Sequence, residues 1–184
     1  TLSSSSAASD VYKRQDIHCH LDFPDYGNEI SEVLERMREE GVGAITIGTD
    51  IESSKRAVEI ADKNPNIWAC IGVHPEKPQG ETLKKSQGLS LGFQEEEFEN
   101  LVSHPKVVAI GECGLDWFRV LPENMQAERE RQTNLFKQQI EFALKHDKPL
   151  MLHCRNSYDD VLDILEEYKK QHGDKLRGLS LIHI

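Results

Sequence analysis

The chain has 184 residues, 38% hydrophobic and 29% charged, with a formal net charge of −10. That length accommodates one domain with a real core, and that balance excludes a disordered chain. The acidic balance argues against gripping nucleic acid through a broad basic surface, and no apolar run approaches the ~20 residues of a membrane-spanning helix.

In chain order, residues 1–15 lack the apolar centre of a signal peptide. A first strand is predicted around Ile17, within Asp16-Ile17-His18-Cys19-His20-Leu21-Asp22. A helix over Glu29–Glu40 stops at Gly41. A strand over Ala44–Gly48 leads to a helix over Glu52–Lys63, with Ala57, Ile60 and Ala61 on one face and Pro65 as its stop. After a strand over Trp68–Val73, the polar stretch Glu81–Gly92 reads as a local insertion before a helix over Gln94–Ser103. A strand over Val107–Ile110 precedes a long helix, Met125–His146, whose apolar side is Leu135, Phe136, Ile140, Phe142, Ala143 and Leu144. A strand over Pro149–Leu152 precedes a helix over Ser157–Gln171, which opens on a capping-type serine and carries Val161, Leu162, Ile164 and Leu165. A sixth strand begins near Leu176. Cys19, Cys70, Cys113 and Cys154 fall in or beside strands and form no CxxC pair. They read as small buried apolar residues in a reducing compartment, the cytoplasm.

Continuous apolar strands alternating with helices imply a buried parallel sheet. A doubly wound open sheet and a (β/α)8 barrel compete. His20, Asp50, His74, Glu112 and His153 each fall at or just past the C-terminal end of a different strand. Such ends converge on one mouth in a barrel, whereas an open sheet brings together only those at its switch point. The expectation is therefore an α/β fold, a TIM-like (β/α)8 barrel. A full barrel takes about 250 residues, so this chain supplies about five βα units and the start of a sixth strand.

Alternate residues of a strand share a face, so His18 and His20 aim two imidazoles into one space, which suits a divalent cation. Glu112, in Ile110-Gly111-Glu112-Cys113-Gly114, is a carboxylate at a strand end that is costly to bury unless paired or bound to metal. A glutamate can bridge two cations; the competing reading is a salt-bridged structural residue. His153 is a ligand or a core histidine. Arg155, two residues on, is a phosphate clamp or the partner of Asp159. His74 is a substrate hydrogen-bond donor or a loop residue. Asp50 reads as a helix cap, Asp116 as a buttress of its loop, and His104, His146 and His172 as histidines near helix ends. No GxSxG, P-loop or GxGxxG signature is present.

Four motifs in order, Asp-x-His-x-His-Leu at 16–21, Gly-Val-His-Pro at 72–75, Ile-Gly-Glu-x-Gly-Leu-Asp at 110–116 and Pro-x-x-x-His-x-Arg at 149–155, together resemble the TatD-type metal-dependent hydrolases of the amidohydrolase-like barrels. The resemblance runs from Asp16 to about Arg177. It implies a TIM-like barrel with two divalent metal ions (Zn, Mn or Mg) that hydrolyses phosphodiester bonds as a DNase. Position by position, His18 and His20 would bind one metal, Glu112 would bridge both as the central catalytic residue, and His153 would bind the second. His74 and Arg155 would engage the substrate. The implied partner is DNA or another phosphodiester, with no membrane and no obligate protein partner.

The family's histidine after strand six and aspartate after strand eight have no match; His183 lies in the right region, but its surroundings differ. The resemblance also lapses at both edges. Residues 1–15 and 179–184 are expected to be non-native flanks of the translated-adapter kind, leaving a native segment of 16–178 with a net charge of −11. Two alternatives to a DNase stay open: hydrolysis of another ester or amide, and an incomplete barrel that binds metal without turnover.

Overall fold

The computed structural model describes residues 14–76 and 93–182. The predicted insertion Glu81–Gly92, His183, and most of the expected flank 1–15 lie outside the described residues.

Among the described residues, six strands alternate with five α-helices, in the order β1 (Arg14–Cys19), α1 (Ile30–Glu39), β2 (Val42–Ile47), α2 (Ile51–Lys63), β3 (Ile67–Ile71), α3 (Glu95–Val102), β4 (Val107–Asp116), α4 (Met125–Lys145), β5 (Leu150–Arg155), α5 (Tyr158–His172) and β6 (Gly178–Ile182). Every strand pairs in parallel with its neighbour in sequence, giving the sheet order β1-β2-β3-β4-β5-β6. A doubly wound sheet reverses its order at a switch point. This one never reverses, and it curls into part of a TIM-like barrel.

Strand alternation divides the core in two. One face of the sheet meets the helices, where Ala69, Ile71, Leu115 and Leu150 pack with Phe98, Phe136, Ile140 and Phe142. The other, concave face carries a small cluster of Ile47, Cys70, Ala109 and Met151. His153 is two residues beyond Met151 on that same face.

Local chemistry accounts for the helix boundaries. Asp50 caps α2: its side chain accepts from the Ser53 N–H at 2.7 Å, and the Ser53 hydroxyl takes the Asp50 N–H at 2.9 Å. Gly41 follows α1 at φ +64°, the left-handed conformation that ends a helix. Ser157 departs from expectation. It precedes α5 but makes no capping bond; its hydroxyl instead donates to the Leu115 carbonyl at 2.7 Å, tying α5 to β4.

The larger correction is β4, which was expected to stop at Ile110. It continues to Asp116, because Cys113–Asp116 pair with Leu152–Arg155 of β5. Gly111 and Gly114, at φ +148° and +146°, are what permits the pairing. A Cβ at Gly111 would overlap the Met151 carbonyl oxygen, and one at Gly114 that of His153. The four cysteines are free, three buried and Cys19 partly so. Among the described residues no helix is long and apolar enough to cross a membrane.

Asp50→Ala removes one half of the α2 cap. It is expected to cost about 1 kcal/mol in urea unfolding and to leave cation affinity unchanged. A variant of full stability would contradict the capping role.

Candidate metal centre

Glu112 organises the concave end of the sheet. It is 4% exposed, and histidines surround its two oxygens. Oε2 lies 3.3 Å from His18 Nε2 and 3.9 Å from His20 Nε2. Oε1 lies 2.7 Å from His153 Nδ1 and 3.9 Å from His74 Nε2. The carboxylate therefore faces two histidine groups, one on each oxygen. The structure brings together four of the five expected histidine and glutamate ligands and donors on one face, with His74 as the fifth beside them.

Backbone partners fix which nitrogens can act as ligands. His20 Nδ1 sits 3.0 Å from the Ile47 carbonyl and must donate to it. A neutral His20 then turns the lone pair of Nε2 toward Glu112, itself an acceptor. His18 Nδ1 is buried without a hydrogen-bond partner. His18, His20 and Glu112 thus set ligand atoms close together, as a cation site requires. The His18 and His20 rings are 5.2 Å apart, His18 on β1 and His20 one residue past its end.

The second group is His74, Glu112 and His153. His153 Nε2 lies 2.9 Å from Asp116 Oδ2, so Nε2–H donates there and Nδ1 faces Glu112. A carboxylate holding the far nitrogen of a metal-ligating histidine is the usual way such a ring is oriented. His74 behaves differently. Its Nδ1 accepts the Glu76 N–H at 3.1 Å, so the neutral ring carries its proton on Nε2 and is a donor. That Nε2 lies 3.1 Å from His153 Nδ1.

The charge states follow from these contacts. Burial opposes a charged Glu112, but hydrogen bonds from His153 and His18 outweigh it and hold the carboxyl well below the usual carboxylate range. Burial also opposes a charged His153, and the bond to Glu112 with the charges of Glu112 and Asp116 reverses it, raising its pKa. For His74, burial and then the neighbouring His153 prevail, lowering it to about 4.

Two residues differ from the sequence reading. Asp116 does buttress its loop, its Oδ1 accepting the Phe118 N–H at 2.9 Å, but its other oxygen holds His153. Residues 112, 114 and 116 share one face of a continuous strand, so extending β4 past Ile110 would have exposed that role. Arg155 does not bond Asp159. Its guanidinium lies over the Phe118 ring, 3.7 Å from the centroid. Asp50 is a cap and lies outside both groups. His104 and His146 pair with Asp62 and Glu99, away from the centre.

A profile for proteins described as TatD related DNase matches residues 15–180. The "Uncharacterized metal-dependent hydrolase YjjV" of Escherichia coli K12 is 31% identical over 166 residues, 90% of this chain and 60% of that protein. The "3'-5' ssDNA/RNA exonuclease TatD" of Musicola paradisiaca is 32% identical over 155 residues, 83% and 53% respectively. The crystal structure of the TatD homologue YjjV from E. coli superposes with a TM-score of 0.68 at 30% identity, covering 86% of this chain and 57% of that one. This chain thus spans 53–60% of the length of these relatives.

The depressed pKa of His74 makes stability pH-dependent. The unfolded histidine takes up its proton near pH 6.5 and the folded one near 4, so this contribution is complete above 6.5 and lost as the pH falls between them. In urea unfolding, His74→Asn should lose about 2 kcal/mol less than wild type between pH 7 and pH 5. An equal or larger loss would contradict the assignment.

Proposed function

The chain belongs to the TatD-related DNase family, and we propose that it provides a two-cation centre for hydrolysing phosphodiester bonds of nucleic acid. The observation that carries this reading is the division of Glu112, one oxygen toward His18 and His20 and the other toward His153. A carboxylate so placed could serve both cations. His18, His20 and Glu112 would hold the first, and His153 with Glu112 would hold the second. Zn, Mn and Mg all accept such ligands, Mg least readily among so many imidazoles. Divalent cations bound there supply Lewis acidity toward a phosphoryl oxygen and lower the pKa of water.

The chain's own residues do the positioning. Ile47 and Asp116 fix the His20 and His153 rings. His74 Nε2–H is a donor beside Oε1, placed to reach a phosphate oxygen. Arg155, held flat by Phe118, offers paired N–H groups to the same phosphate. The relatives named as 3'-5' ssDNA/RNA exonucleases support a nucleic-acid substrate. A second reading, cation binding without turnover, draws on one observation: with His74 a donor, Glu112 and His153 are the only ligands left in the second group.

Calorimetric titration with Mn2+, paired with a Mn2+-dependent assay on a 5'-labelled single-stranded oligonucleotide, tests both. Wild type is expected to bind two equivalents and to shorten the oligonucleotide from its 3' end. Glu112→Gln should lose both equivalents and the activity, and Asp116→Asn should weaken the second cation about 10- to 100-fold. Two equivalents without cleavage would favour the second reading; no bound Mn2+ would refute both.

A further inference from the structure

Phe118 is 54% exposed, two residues beyond the carboxylate that holds His153. A lone exposed phenylalanine is ordinary in a surface loop. This one is fixed. Its N–H donates to Asp116 Oδ1 at 2.9 Å, and the Arg155 guanidinium covers the ring at 3.7 Å. The preceding Trp117 is buried, its indole N–H on Asp160 Oδ2 at 2.7 Å and its backbone N–H on the Arg155 carbonyl at 2.9 Å. Asp116 therefore holds a site histidine with one oxygen and the backbone of an aromatic ring with the other. The ring keeps much of its surface in solvent. Phe23 repeats the arrangement at the other histidine group, stacked on His20 at 4.5 Å and 39% exposed.

We propose that Phe118, backed by Arg155, is a stacking platform for a nucleobase of a single-stranded nucleic acid whose phosphate lies at the Glu112 centre. This rests on the phosphodiesterase reading above. The physical case is that a planar cation on one side of an aromatic ring leaves the other side for a second planar group, and every base has such a face. Stacking of this kind suits a chain of net charge −10, which lacks the broad basic surface that would hold the backbone by charge alone. It makes Phe118 a positioning residue, acting on the base and not on the reacting atoms.

The test uses binding, so it does not depend on turnover. Fluorescence anisotropy with Mn2+ present compares a phosphorothioate oligothymidylate with an abasic phosphorothioate oligomer of equal length. Wild type is expected to prefer the base-bearing strand by roughly 5- to 150-fold, the range one stacked base contributes. Phe118→Ala should abolish most of that preference, and Phe118→Trp should retain it. A preference that survives in Phe118→Ala, or a wild type with none, overturns the platform. A preference that depends on Phe118 in a protein that does not cleave the labelled oligonucleotide would sustain the platform while refuting the phosphodiesterase.

Discussion

A negative charge buried without a lysine or arginine beside it dominates this molecule. Among the described residues, the ion-pair partners of Glu112 are all histidines: His18, His20, His74 and His153. An isolated buried carboxylate is too costly to persist. Imidazoles can relieve that cost in two ways, by protonation or by sharing a cation. The first operates on the ligand-free protein, where Glu112 stays ionised and His153 takes up a proton more readily than usual. The second is open because both oxygens already face nitrogen ligands.

The backbone around this charge is shaped to let it sit there. Gly111 and Gly114 bring β4 against β5 so closely that neither position accepts a side chain. That contact places Glu112 and Asp116 on either side of His153, and each takes one ring nitrogen. Ile47 performs the same service for His20 from the neighbouring strand. The orientation of each imidazole is thus set by a group outside the centre, which turns the other ring nitrogen of His20 and of His153 toward Glu112.

Much of this was legible in the sequence because it rests on local periodicity. The helices from Glu52, Met125 and Ser157 were found within a residue or two of their bounds, since their apolar spacing and stop residues act over a few positions. The histidine pair was legible for the same reason, a period of two along one strand. What escaped reading depends on partners distant in sequence. The length of β4 is set by its pairing with β5, about 40 residues on. Ser157 looked like a cap, but its hydroxyl donates to the Leu115 carbonyl of β4 and accepts no N–H of its own helix, and Arg155 met Phe118 rather than Asp159. Glycines and serines carry local preferences that a close neighbour overrides, and the neighbour is invisible until the sheet is assembled.

The strictly sequential strand order has a consequence for how the centre comes into being. Each new strand adds to the open edge beside its predecessor, so the sheet can grow in the order in which the chain is synthesised. The ligands emerge on the same schedule: His18 and His20 with the first strand, Glu112 with the fourth, His153 with the fifth. During translation, the three residues of the first group are therefore assembled while His153 of the second is still inside the ribosome. Glu112 passes through a stage in which one of its oxygens is matched and the other is not.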